Sequence, residues 1–315
     1  MNIKSCTMGS IVAMVGLLLA GGSVAAGPPA GASVAPSSCG GVALPPSGNA
    51  FCSFESDGSG VVIGHHSCNV EGACLLLGNG VRIGNDSCNG ETACDELGGA
   101  GGTSTIGNRS CDGDFACWAA GYQGRSVIGD NSCNGGSEVC EGAAMFGGNS
   151  RIGNGSCNDG LWTCLFLGVG DFEIAGFGSS DIGNSSCIGN RACTFAGQYG
   201  GSSVIGNNSC LGERSCFDAG QDDPFDPELA GSISRIGNNS CSGLRSCFVV
   251  GHFGGNSDIG NASCNGDYAC RSAGAVDPNS SSIGNRSCNG ATPGSPPGPC
   301  DGNVVMIGNN QNNTP

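Results

Sequence analysis

Residues 83–94 read IGNDSCNGETAC, and residues 106–117 read IGNRSCDGDFAC. The same frame, I-G-N-x-S-C-N-G-x-x-A-C, recurs along most of the chain. Its Ile-Gly pair stands at Ile63, Ile83, Ile106, Ile128, Ile152, Ile182, Ile205, Ile236, Ile259, Ile283 and Ile307. Ser-Cys follows four and five residues after every one of these isoleucines but the last. Successive units are 20 to 31 residues long, mostly 22–24. Self-similarity at such a period marks a solenoid, in which each unit buries its apolar side chains only by stacking on its neighbours.

The kind of solenoid follows from the glycines. Helical repeats of this length need long amphipathic runs, and a glycine inside a helix costs about 1 kcal/mol. With Gly 61 in 315 residues, such runs do not exist here. Propeller blades need about 40 residues and four strands. The expected fold is therefore all-β: a parallel β-helix of about ten coils of 20–31 residues. Coils spaced at about 4.8 Å would give a rod on the order of 50 Å long. Ile forms one interior column, and Ser67, Ser87, Ser110 and Ser132 begin a second. Gly followed by Asn or Asp (Asn85, Asn108, Asp130, Asn154, Asn184, Asn207) suits a bend with a left-handed residue. Stacked Asn amides are expected to bond from coil to coil.

Cysteines punctuate every coil. Cys68 is followed by Cys74, Cys88 by Cys94, Cys111 by Cys117, Cys133 by Cys140 and Cys157 by Cys164. The series continues with Cys187 and Cys193, Cys210 and Cys216, Cys241 and Cys247, Cys264 and Cys270, and Cys288 and Cys300. Each pair reads as a disulfide within its coil, because the last unit, Ile307-Gly308-Asn309, loses both cysteines together. A ladder of disulfides between coils is the rival, since stacked Cα atoms about 4.8 Å apart also fit disulfide geometry. Zinc binding fits poorly, for the spacing is not that of zinc knuckles and His 3 is the whole histidine complement. Cys39 and Cys52 enclose a Pro-rich loop and read as a cap.

The N-terminus reads as an export signal: Lys4, an apolar stretch from Ile11 to Ala20, and small residues ending at Ala26. Its apolar core is too short to span a bilayer, and no later segment is apolar enough to do so. Removing 1–26 takes Cys6 with it and leaves an even number of cysteines, as an oxidised exported chain requires. The expected organisation is a signal peptide at 1–26, a flexible leader at 27–38 and an N-terminal cap at 39–62. Solenoid repeats then fill 63–308, and a polar tail ends the chain at 309–315. The net charge of −15, with Lys4 as the lone lysine, argues against nucleic-acid or anionic-membrane partners.

Chemistry is harder to find. Two coils carry insertions, Leu165–Asp181 and Phe217–Arg235, and the second holds Asp222, Asp223, Asp226 and Glu228 around Pro224 and Pro227. Clustered carboxylates of this kind bind Ca2+ or serve as acid and base on a saccharide, but a solvated acidic loop accounts for them equally simply. The G-G-x-G-x-D calcium repeat is absent. Arg82, Arg151 and Arg235 precede the Ile column, and Arg191, Arg214 and Arg245 precede second cysteines. These sets suggest short rows on opposite faces that salt-bridge to nearby acids. His65, His66 and His252 have no constellation around a nucleophile, and no G-x-S-x-G elbow occurs. The sequence thus supplies no catalytic set, no cofactor site and no metal site. N-x-S/T triplets at Asn85, Asn108, Asn154, Asn184, Asn207, Asn238, Asn261 and Asn285 are by-products of the repeat; Asn279 and Asn312 lie outside it.

The S-C-N-G-x-x-A-C core, with cysteines six apart and one pair per coil, resembles the disulfide-spined solenoids of beetle antifreeze proteins. Their T-C-T triplets form a flat ice-binding face, and the corresponding triplets are Ser67-Cys68-Asn69, Ser87-Cys88-Asn89 and Ser110-Cys111-Asp112. Serine lacks the threonine methyl, and the Asn column breaks at Asp112, Ile188, Leu211 and Ser242. The wider pattern is similar to Cys-rich exported repeat proteins. Three functions compete: a non-enzymatic secreted or cell-surface structural or adhesive rod, a carbohydrate-binding or carbohydrate-cleaving β-helix, and an ice-binding protein. The partner is not named by the sequence; an extracellular polysaccharide and a surface partner are the candidates. The first of the three is expected, because the repeat is regular and the catalytic residues are missing.

Overall fold

In the computed structural model the described residues are 32–39, 52–54, 59–170, 178–220, 232–251, 255–273, 280–290, 300 and 306–311. The expected signal segment 1–26 lies outside them, as do Asp222, Asp223, Asp226, Glu228, His252, Asn279 and Asn312.

One parallel sheet runs the length of the protein. Its strands are β1 (Ser33–Val34), β3 (Val62–Ile63), β5 (Arg82–Ile83), β6 (Thr103–Ile106), β7 (Arg125–Ile128) and β8 (Asn149–Ile152). It continues through β9 (Ser179–Ile182), β10 (Ser202–Ile205), β11 (Ile233–Ile236), β12 (Asn256–Ile259), β13 (Ser280–Ile283) and β14 (Met306–Ile307). These 12 strands stack in chain order. A short second pair joins β2 (Cys52–Phe54) to β4 (Cys74–Leu77). Register is set by the Ile column: Ile63 pairs with Ile83, Ile128 with Ile152, and Ile283 with Ile307. A one-residue slip would turn every Ile outward, so the column fixes the register. The isoleucines, both cysteine columns and a run of Ala and Leu make one continuous core. The protein is thus a disulfide-stapled all-β parallel solenoid.

The sheet begins earlier than residue 63. Ser33 and Val34 pair with Val62 and Ile63, so part of the stretch 27–38 expected as a flexible leader is a rung of the rod. The reason is visible in Val34-Ala-Pro-Ser-Ser-Cys39, a degenerate copy of I-G-N-x-S-C. Val34 stands in the Ile column, and the Ser38 hydroxyl accepts from the Ser67 amide. The Cys39–Cys52 disulfide therefore belongs to a first coil rather than to a separate cap. The other end is likewise longer than expected. Asn309 and Gln311, assigned to the polar tail 309–315, complete the last rungs by bonding to Asn285 and Ser287.

Two side-chain ladders hold the coils together. In the first, each Asn or Asp after Ile-Gly offers its Oδ1 to the backbone amide of the coil before. The series runs from His65 to Asn309 without a break, at 2.6–2.9 Å. Side-chain-to-side-chain bonds of the expected kind occur at Asn108–Asp130 and Asn285–Asn309, but the continuous ladder is made of oxygen-to-backbone bonds. That explains why Asp130 serves as well as Asn, since only an acceptor is required. In the second ladder each buried Ser accepts the next Ser amide at 3.1–3.2 Å. The same hydroxyl donates to the glycine carbonyl of the following coil, at 2.6–2.9 Å. Donor and acceptor capacity are both used, which makes a buried serine acceptable in the core.

A second interior serine column went unseen in the sequence. Ser104, Ser126, Ser150, Ser180, Ser203, Ser234 and Ser257 stand two residues before Ile, buried, with hydroxyls lacking a hydrogen-bond partner in the structure. Val61 and Val81 hold that place in the first coils.

Candidate functional site

The disulfide turns build the side of the rod with the most chemistry. All the cysteine pairs close within coils, at separations of 6 or 7 residues except Cys39–Cys52 and Cys288–Cys300. First cysteines such as Cys88 (φ 57°) and Cys133 (φ 58°) sit in the left-handed region, which turns the chain sharply into the loop. Eleven disulfides fit an oxidising compartment. No helix among the described residues is long and apolar enough to cross a membrane. The close-packed sulfur clusters, such as Cys133, Cys140 and Cys157, consist of cysteines already joined in these bonds.

Past the second cysteine, one column reads Leu75, Asp95, Trp118, Glu141, Leu165, Thr194, Phe217 and Phe248. Each carbonyl in it accepts an amide from the next coil. Aromatic rings cluster towards its C-terminal part. Phe166 stacks on Phe195 at 6.0 Å, Phe217 meets Phe195 edge-on at 5.5 Å, and Phe217 stacks on Phe248 at 5.3 Å.

Three of the carboxyls on this side are strongly shifted. Burial pushes Asp95, Glu141 and Asp218 each up to about 7; Glu96 and Glu138 add like-charge repulsion at the first two. Asp112 is also raised, chiefly by burial. Asp95 keeps one buried oxygen without a partner, while its carboxyl accepts from the Trp118 side chain. Asp95 and Glu141 are two coils apart, about 10 Å along the column. Trp118 occupies the coil between them, so they do not face one another across an open gap as a glycosidase pair does.

These acids give the rod a pH dependence of defined sign. The unfolded chain ionises them near pH 4, whereas the folded chain keeps their protons until about pH 7. Between those values the folded state binds more protons, so stability falls as pH rises. Melting temperature is expected to be several degrees higher at pH 4.5 than at pH 8. Glu141→Gln should flatten part of that slope. A melting temperature rising with pH would contradict the assignment.

The two arginine sets behave differently. Arg191, Arg214 and Arg245 occupy three successive coils and form a true row. The expected salt bridges are largely absent from this row. Arg191 lies 4.2 Å from the Trp162 ring and Arg245 lies 5.5 Å from Phe248, while Arg214 reaches Glu213 at 4.0 Å. Arg82, Arg151 and Arg235 share an outward column of the sheet but are not adjacent. Arg151 pairs in register with Asp181, and Arg235 with Asp258. An open groove of about 420 Å3 lies there, lined by Val204, Arg235, Asp258, Asn261, Ser282 and Asn285. His66 faces Asp86 at 3.3 Å, and His65 contacts Ser37.

In the triplets that carry the antifreeze resemblance the Ser and Cys turn inward: Ser67 and Cys68 are fully buried, as are Ser87 and Cys88 and Ser110 and Cys111. The third position faces solvent, as at Asn69 and Asp112. No family model, curated protein or solved structure matches the chain.

Proposed function

We propose that the protein is a secreted or cell-surface structural or adhesive rod with no enzymatic activity. The observation that carries this reading is the unbroken pair of Asn and Ser ladders. They put the repeat's most regular polar side chains into holding coil to coil. The disulfide in each coil adds covalent resistance, as an exposed extracellular module needs. The signal-like N-terminus supports export. A carbohydrate-binding surface is a second reading, favoured by the groove that places Arg235, Asp258, Asn261 and Asn285 side by side on the sheet.

The test is retention of the oxidised protein on insoluble polysaccharides, with released reducing ends assayed in the supernatant. Retention without release, lost in Arg235→Ala/Asp258→Ala, supports the second reading. Retention with release would overturn the non-enzymatic reading and direct attention to the 221–231 insertion. No retention leaves the structural rod.

A further inference from the structure

Charge on the disulfide side is sorted along the axis. The turn segments 69–77, 89–97, 112–120, 134–143 and 158–167 carry nine carboxylates and no cation. Segments 188–196, 211–219, 242–250 and 265–273 carry four arginines, Arg191, Arg214, Arg245 and Arg271, against Glu213, Asp218 and Asp267. Backbone bonds put Phe115, Glu138, Trp162, Arg191, Arg214, Arg245 and Tyr268 in successive coils of one corner. At the changeover stands Leu161, 56 % exposed, beside Trp162; Phe115 is 43 % exposed.

We propose that this side is a homodimer interface on which two rods lie antiparallel, the acidic half of each against the basic half of its partner. A two-fold axis through the Leu161–Trp162 coil brings equal steps in opposite directions together. One step pairs Glu138 with Arg191 of the partner subunit, and two steps pair Asp114 and Phe115 with Arg214 of the partner subunit. Three steps pair Glu91 with Arg245 of the partner subunit. Each contact occurs twice, as an isologous interface requires. The two Leu161 side chains meet at the centre and are covered by the pairing. The contact line spans six coil steps, about 30 Å.

A second copy fits better than any other partner. A polyanion would find four arginines on one half and the acidic coils on the other. A polycation would find the acidic coils and then the arginine row. A partner with both signs in reversed order suits the Glu138–Arg245 corner best, and the chain supplies that order. Within one rod these arginines reach little acid: of the four, only Arg214 contacts a carboxylate among the described residues. Stacked like charges are unfavourable in the free rod, and association relieves them.

Sedimentation velocity and small-angle scattering on the oxidised full chain test the proposal. At 50 μM and low salt the mass should be twice that of the chain, with a wider cross-section and an unchanged length. In 1 M salt it should return to one chain. A monomer at low salt, a salt-insensitive dimer, or a doubled length would overturn the interface. Charge exchange gives the decisive arm. Arg191→Glu/Arg245→Glu and Glu138→Arg/Glu91→Arg should each be monomeric, with Kd raised at least 100-fold, and should form a heterodimer when mixed. Mixing also reports that both variants are folded. Failure of the mixture to pair, or dimerisation of either variant alone, would refute the antiparallel register.

Discussion

Reducing the protein should unfold most of the rod at temperatures where the oxidised form is fully folded. Most of the staples close short loops, with partners 6 or 7 positions apart. On the loop-entropy account each contributes about 2 kcal/mol. Together they amount to on the order of 20 kcal/mol, more than the 5–15 kcal/mol net stability of an ordinary domain. The core offers little to replace them: its members are mostly Cys, Ala and one Ile per coil. First cysteines hold left-handed backbone at about 1 kcal/mol each, and reduction removes the constraint that maintains it. The measurement is thermal unfolding with and without a phosphine reductant, with thiols counted to establish that the bonds have opened. A fall of tens of degrees is expected. An unchanged melting temperature in fully reduced protein would mean that the Asn and Ser ladders alone carry the fold.

How much of this was legible in the sequence depended on whether a position repeats with its residue type unchanged. Ile, the Ser before the first cysteine, and both cysteines do so, and their columns follow from the sequence alone. Val34-Ala-Pro-Ser-Ser-Cys39 keeps only Ser and Cys of the frame, so the first coil read as a leader. The buried column from Ser104 to Ser257 was hidden because serine is common and Val61 and Val81 interrupt the series. The sorted charge could not be seen coil by coil. Glu138 and Arg191 are one step either side of Trp162 only once the coils are stacked, since one intervening coil carries an insertion. Asp222, Asp223 and Asp226 attracted notice by adjacency, whereas Asp95, Glu141 and Asp218 are set apart by burial, which adjacency does not encode.

The glycine after Ile serves close contact between coils rather than the left-handed bend expected of it, and the difference can be measured. A left-handed bend was expected there, yet the left-handed residue is two places later, as in Asp86 (φ 54°) and Asn208 (φ 53°). Glycine is needed because the coils touch. A Cβ on Gly206 would lie 2.7 Å from the Asn238 nitrogen and 2.7 Å from the Gly237 carbonyl carbon. Both are backbone atoms fixed by the Asn ladder, so they cannot swing aside as a side-chain tip would. Gly206→Ala must push two coils apart or break the Asn207–Asn238 rung, and should cost about 3 kcal/mol. Gly80 is the control. Its φ is +75°, but a Cβ there meets nothing within 4 Å, so Gly80→Ala should cost only the left-handed penalty of about 1 kcal/mol. Because a solenoid opens locally, hydrogen exchange is the sharper readout than a global melt. In Gly206→Ala the amides of Asn207 and Asn238 should exchange faster by two orders of magnitude, while those of Asn85 and Asn108 keep wild-type rates. Equal effects from the two alanines would show that backbone conformation, not contact between coils, is what this glycine column supplies.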